Sequence, residues 1–399
     1  LRLAGFRLLF LSTLGSSFGT LLAAVALAID VKDRTNSGPW VGAVLLVEVL
    51  PTVAVGLLFG PLLDRLERRR LMVVADLVRA GVFFALPFTT SAAQIVALAG
   101  IAGLATGFFR PAVYAGVPNL VPDEVLPDAN AILQTVENIS WTVGPIVGGV
   151  LASAAGPHLA YWINGVSFLV SAALVWRIPA RLLQSEAALT RGHWRDLADG
   201  FVAVLRSRPL LAVLVAWGLA SLGIGGANVA EVFLAKNTFH AGDWGYGLLY
   251  GAIGGGLVLG SFASSWVIPR LGTTRAYVAG LLAMAVGFAG AAASPNVWVA
   301  AACCVAGGLG DGTAIACNAL LVQRGAADAV RGRALTLVMS ATYVALGVGN
   351  AVTGVVLHAS GPRWVWAGAA GMFVLAAVAG LVLAREPRQR PVPLEVGAD

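Results

Sequence analysis

Gly149-Val-Leu-Ala-Ser-Ala-Ala-Gly-Pro157 returns later in the chain as Gly354-Val-Val-Leu-His-Ala-Ser-Gly-Pro362. Each copy lies at the end of a long apolar run and finishes on Gly-Pro. A second echo sets Gly56-Leu-Leu-Phe-Gly60 against Gly256-Leu-Val-Leu-Gly260. The offsets are 205 and 200. The chain therefore reads as two copies of one unit, and the five-residue difference is expected in a longer loop at 269–275.

Around these echoes the chain divides into apolar runs of about 20 residues, the length a helix needs to cross the hydrocarbon of a bilayer. One set occupies 4–29, 40–63, 71–89, 94–117, 130–154 and 159–176; the other occupies 210–235, 245–268, 276–293, 297–320, 334–357 and 364–384. This predicts an all-α membrane protein of twelve transmembrane helices in two six-helix pseudo-repeat halves, 1–178 and 209–386. A cytoplasmic linker, 179–208, joins them, and a tail, 387–399, follows. In the linker Trp194, Leu197, Phe201, Val204 and Leu205 share a helical face, which predicts an amphipathic helix on the inner membrane surface; Gly192 and Gly200 favour a flexible linker instead.

Composition points the same way. Of 399 residues 58% are hydrophobic and 12% charged, and the mean hydropathy is +0.83. That leaves too little polar surface to coat a water-soluble fold. The net charge of +6 is not a nucleic-acid footprint, because the basic residues recur at every second junction between apolar runs and form no stripe with interleaved aromatics. With the N-terminus inside, the outer loops hold Lys32, Arg34, Lys236 and Arg363 and Arg110 is intramembrane, leaving roughly 21 of the 26 basic residues for the cytoplasmic side. Both termini are thus expected in the cytoplasm, in a multi-pass protein of the plasma membrane. The chain opens on Leu1 rather than Met, and no cleavable signal peptide is expected: the first apolar run is long enough to span and lacks a small-residue cleavage site in a polar context.

Cofactor and metal chemistry find no support. Cys303, Cys304 and Cys317 lie in apolar surroundings without ligand or disulfide spacing, and His158, His193, His240 and His358 are scattered over run ends and loops. The glycine clusters at 254–256 and 308–312 neither follow a strand nor carry the Lys-Ser/Thr of a phosphate loop, so they read as helix-packing glycines. No enzyme, metal or cofactor is expected.

After the second run the sequence reads Gly60-Pro-Leu-Leu-Asp64-Arg65-Leu-Glu67-Arg68-Arg69-Arg70. This has the Gly-x-x-x-Asp-Arg-x-x-Arg-Arg form of a cytoplasmic loop, and with it the chain resembles the major facilitator superfamily. Gly60 permits close helix approach, Asp64 suits the positive end of a neighbouring helix, and Arg65, Arg68 and Arg69 suit acids or lipid phosphates. Such a charge latch holds one conformation and releases in the other. Asp76 and Arg79, a helical turn apart at the start of the third run, extend the expected latch. Arg110-Pro-Ala, Pro118, Pro122 and Ala129-Asn130-Ala131 further resemble the macrolide-efflux and enterobactin-exporter branch. Gly144, Pro145, Gly148 and Gly149 are similar to the end of the glycine-rich signature of proton-coupled exporters, whereas Ala131 and Ser140 stand where that signature has glycines.

What the resemblance implies is a monomeric secondary transporter that exports small amphipathic molecules, of drug or siderophore type, by alternating access and proton antiport. An uptake permease or uncoupled facilitator is the nearer alternative, and a non-transporting membrane scaffold the more distant one. The expected partners are the small-molecule substrate, protons and the bilayer. Trp141, Trp217, Tyr250 and Tyr343 are candidate aromatic surface in the cavity. Ionisable residues inside apolar runs are the candidate proton or substrate sites, because each is costly there unless paired or wetted. Arg110 and Glu137 fall at similar depth on successive runs and are expected to meet, as a salt bridge or as a functional pair. Asp311, aligned by the 205 offset with Thr106, reads as a functional carboxylate, and Glu48 belongs to the same group. Asp30 and Glu231, near outer ends, read first as solvated interfacial acids. Asn228, Gln134 and Asn138 are polar companions for substrate or helix bridging.

The latch assignment has a kinetic signature, because a loop on the cytoplasmic side is far from a mid-membrane site. Asp64→Asn is expected to slow transport while leaving equilibrium substrate binding nearly intact. A large loss of affinity with normal turnover, measured by binding and initial-rate assays on the same preparation, would contradict it.

Overall fold

The structure is a computed structural model and describes residues 3–58, 66–184, 207–325 and 331–383. Gly60, Asp64 and Arg65, the amphipathic part of the linker and the tail lie outside the described residues. The long helices are α1 (Ala4–Thr35), α2 (Gly38–Leu58), α3 (Arg68–Ala85), α4 (Ala92–Gly116), α5 (Leu126–Ala155) and α6 (Pro157–Trp176). They are followed by α7 (Arg208–Phe233), α8 (Gly242–Leu271), α9 (Thr273–Ala293), α10 (Val297–Gly325), α11 (Arg331–Ser360) and α12 (Pro362–Leu383). Among the described residues ten of these are long and apolar enough to cross a membrane by length and composition, and Gly38–Pro51 of α2 is a shorter apolar stretch. This all-helical build is what lipid requires, since a helix satisfies its backbone polar groups within itself.

Glycine and proline set two of the joints. Gly156 and Gly361, the repeated Gly of the two Gly-Pro pairs, both adopt φ 78°, a left-handed geometry that glycine reaches without a Cβ penalty. Each separates a helix from the Pro that opens the next. Ser91 opens α4 with a capping box: its hydroxyl accepts from the Gln94 backbone N–H, and the Gln94 side chain accepts from the Ser91 N–H.

Helix starts reveal the spacing of the repeat. Ala4 and Arg208, and Gly38 and Gly242, are 204 residues apart; Arg68 and Thr273, Ala92 and Val297, and Pro157 and Pro362 are 205 apart. The offset is therefore nearly constant, and the expectation of a five-residue insertion at 269–275 is corrected: α8 runs through Leu271, and Gly272 alone separates it from α9. The echo at offset 200 is out of register by about one helical turn, because glycines four apart match equally well when one helix slides by a turn.

The packing pattern repeats as well. Among the first six helices the main neighbours are α1 with α5 and α6, α2 with α4, and α3 with α4 and α6; among the second six they are α7 with α11 and α12, α8 with α10, and α9 with α10 and α12. Two contacts dominate between the sets, α5 with α8 and α2 with α11, and these two exchange under the same correspondence. Both are made by bare backbone. A Cβ placed on Gly247 would lie 2.6 Å from the Pro145 carbonyl oxygen and 2.9 Å from Gly149 Cα, and one on Gly42 would lie 2.7 Å from the Asn350 oxygen.

Because Gly247 has no room for a side chain, Gly247→Leu is expected to force α5 and α8 apart and destabilise the protein by about 1–3 kcal/mol. Gly81, whose Cβ position meets open space, supplies the control. In detergent, Gly81→Leu should melt with the wild type and Gly247→Leu below it; equal melting of the two variants would show that α5 and α8 do not meet so closely.

Candidate functional site

The bundle contains a cavity of ≈ 240 Å³, bounded by α1 to α5 and, across from them, by Tyr343 and Leu346 of α11. α1 contributes Thr13, Ser16, Ser17 and Thr20, hydroxyls that recur at helical spacing along one face. Trp141 and Tyr343 supply aromatic wall, and the Trp141 indole stacks on Tyr250 at 6.0 Å. Trp217 is buried elsewhere, at 6% exposure, and lines none of this space.

Arg110 and Glu137 meet inside the cavity. The Arg110 guanidinium donates from Nη2 to both carboxylate oxygens of Glu137 at 3.0 Å, and the Tyr114 hydroxyl donates to Glu137 Oε1 at 3.0 Å. Pairing is the expected answer to two charges in an apolar setting. The side chain of Glu137 retains 15% exposure and that of Arg110 44%, so the pair faces open space rather than a sealed core. Glu48 lines the same cavity from α2.

Beside the cavity lies a drier cluster. Arg79 and Asp76 form a salt bridge with 4% and 0% side-chain exposure, and Ser171 of α6 donates to Asp76 Oδ2 at 2.6 Å. Ser171 is in turn 2.7 Å from Ser12 of α1. The Arg79 guanidinium is sandwiched between Phe109 and Phe168, 4.2 Å from each ring centre. Asp76 and Arg79, expected as members of the charge latch, hold α3 against α1, α4 and α6; Asp64 and Arg65, the centre of that latch, lie outside the described residues. Arg68 donates to the carbonyls of Ala115 and Leu183, and Arg69 lies over Trp176 at 4.6 Å.

The remaining candidates scatter. Asp30 and Glu231 correct the expectation of interfacial solvation, being 5% and 1% exposed, because neighbouring helices cover the ends on which they sit. Asp30 is bound by Arg34, at 2.6 Å and 3.1 Å, and by the Tyr161 hydroxyl at 3.0 Å. Asp311 lies on α10 with Oδ1 unpartnered among the described residues. Asn228 is half-buried on α7, and Gln134 donates to Asn138 at 3.3 Å on an exposed face of α5. Gly144 and Gly148 seat α5 on α1, whereas Gly149 faces α8, so the glycine-proline motif sits where both contacts are made.

One cluster escaped the sequence reading. Lys236 donates to both oxygens of Asp33, at 2.6 Å and 2.8 Å, and to Asp243, which clasps α1 to the ends of α7 and α8. Lys236 was legible only as an outer-loop charge; its partner on α1 is 203 residues away, and no local spacing announces it.

The fold and this cavity are those of a membrane transporter, and comparison with known proteins agrees. Residues 1–390 match the family of transmembrane secretion effectors of the major facilitator superfamily, and the chain belongs to that family. It is 26% identical to the multidrug efflux pump Tap of Mycobacterium tuberculosis, over 98% of this chain and 96% of that one. It is 25% identical to macrolide efflux protein A of Streptococcus pyogenes, over 60% and 62%. A crystal structure of the nucleoside transporter NupG superposes with a TM-score of 0.75 at 16% identity, covering 96% of this chain and all of that one.

If Arg110 and Glu137 depend on each other, each single neutral substitution strands a charge and the double substitution relieves it. A double-mutant cycle of Arg110→Gln and Glu137→Gln on thermal stability is expected to give a coupling of about 1 kcal/mol, the modest size reflecting the wetted position. Zero coupling would show that the pair does not hold in the membrane protein in solution.

Proposed function

We propose that the protein exports small amphipathic molecules across the plasma membrane by alternating access, driven by proton antiport. The observation that carries this reading is the Arg110–Glu137 pair, exposed in a cavity between the first six helices and α11. A carboxylate that exchanges a proton for a bound solute must reach water in one conformation, and Glu137 does. The aromatic wall of Trp141 and Tyr343 beside the hydroxyls of α1 suits a molecule with apolar and polar parts. The efflux pumps among the relatives favour export over uptake.

In this reading α2 and α5 also cross the membrane, giving twelve spans in two six-helix units, and the near-constant offset of helix starts and the matched packing pattern support it. The α2 helix is apolar over Gly38–Pro51, and α5 carries the polar Gln134, Glu137 and Asn138 along an otherwise apolar helix. Basic residues at alternate junctions support cytoplasmic termini. The clasp of Lys236 is then extracellular, and the conformation is closed to the outside. Alternation consists of parting α5 from α8 and α2 from α11 at that end.

Everted membrane vesicles energised by respiration should accumulate ethidium or a labelled macrolide and lose it when a protonophore is added. Loading driven by ATP that survives the protonophore would rule out proton antiport, and accumulation in right-side-out vesicles under the same gradient would reverse the direction.

A further inference from the structure

Glu231 is the buried acid whose surroundings match its chemistry least. Its side chain is almost wholly enclosed, and Oε1 has no hydrogen-bond partner among the described residues. Asp30 at similar burial has Arg34 and Tyr161, and Asp76 has Arg79 and Ser171. The groups within electrostatic reach of Glu231 are Tyr246 and Tyr250 on α8 and Cys304 on α10. Glu48 of α2 bears on the same two tyrosines, and Glu48 lines the cavity.

The cations at this end are engaged elsewhere. Lys236, five residues beyond Glu231 or about 7 Å along the axis, is turned by the π-helical turn Leu234–Thr238 toward Asp33 and Asp243. Lys32 lies 3.9 Å from Asp33, and Arg34 is taken by Asp30. From α12, Arg363 donates to the Ala292 carbonyl at 2.6 Å and lies over Phe239; from α11, His358 is exposed. Above Glu231 there is thus an ionic clasp joining the two sets of helices, and below it two tyrosines and the cavity carboxylate Glu48.

We propose that Glu231 is a second proton-binding site, reached by water from the Asp33–Lys236–Asp243 side only when that clasp opens, with Tyr246, Tyr250 and Glu48 as its route to the cavity. This rests on the proton-antiport reading. When α1 parts from α7 and α8, Asp33 leaves Lys236 and water enters over Glu231. An unpartnered carboxylate resists return to an apolar enclosure, so closure follows once Glu231 has taken a proton from that water. The clasp re-forms above the bound proton. The proton then leaves past the tyrosines to Glu48 and the cavity, which restores the carboxylate before the next opening. One proton crosses per cycle at this site, and no other bond is made or broken.

The test uses the full-length protein in proteoliposomes with ethidium, or with the labelled macrolide where that is the probe that loads. Two assays run side by side: loading driven by a proton gradient, and probe-for-probe counterflow without one. Glu231→Gln is expected to cut gradient-driven loading by about tenfold or more while counterflow stays within about twofold, since a neutral side chain permits both conformations but carries no proton. Gradient-driven loading by Glu231→Gln with the wild-type pH profile would overturn the proposal. Should Glu231→Gln lose counterflow too, Glu231→Asp decides: coupling retained with a displaced pH profile supports the site, and an unchanged profile overturns it. The wild-type arm separates this from the broader reading. Counterflow without gradient-driven loading in the wild type means that proton antiport itself fails, and this site with it, whereas a driven wild type beside a driven Glu231→Gln defeats the site alone.

Discussion

Where Gly247 faces Gly149, two helix backbones touch with no side chain between them, and the arrangement of the two sets of helices follows from that approach. Helices in lipid gain little from burying apolar side chains against one another, so close contact depends on surfaces smooth enough for dispersion to act over length. Gly148 supplies the same smoothness toward Leu22 of α1, so α5 is held on two sides by adjacent glycines. The Gly42 and Gly354 contacts of α2 with α11 repeat the solution across the bundle. The two seams lie at the end that bears Asp33 and Lys236, and space remains at the depth of Arg110 and Glu137. A seam without interlocking side chains is also one that can part without first unmaking a jigsaw.

Charges inside the bundle are then sorted by what surrounds them. Asp76 and Arg79 are held by aromatic rings and a serine relay, an arrangement that fixes α3 and leaves Arg79 only a slightly exposed edge at the cavity wall. Arg110 and Glu137 make a similar pair by charge but keep an open side, and the third donor, Tyr114, faces the same cavity. The difference is the neighbours rather than the ions. Phe109 and Phe168 close over one guanidinium, while the hydroxyls of α1 leave the other in a polar, accessible wall.

Much of this was legible in the sequence because it is periodic or local. The helices follow from apolar run length, and the meeting of Arg110 with Glu137 from depth counted along successive runs. Depth was a poorer guide for Asp30 and Glu231, where a position near a helix end suggested water and neighbouring helices supplied burial instead. Register between glycine-rich stretches was misread by about a turn, since a motif of small residues every fourth position looks alike after such a slide. The Lys236 clasp was illegible for a different reason: three charges at helix ends are ordinary in a membrane protein, and only the packing of α1 against α7 and α8 turns them into a contact.

The two acidic sites differ in a way that bears on how one cycle keeps its order. Glu137 faces the cavity in the conformation closed at the clasp, whereas Glu231 is enclosed in that same conformation. A single carboxylate open to both sides in turn would let a proton slip across whenever the bundle rocks without a solute. In the proposed cycle one acid is wetted from the cavity and the other only beyond the clasp, so neither conformation connects both to water at once. Trp141 stacked on Tyr250, with Tyr246 edge-on to Tyr250, then marks the step between them, which on the proton-antiport reading is taken only as the seams open and close in sequence.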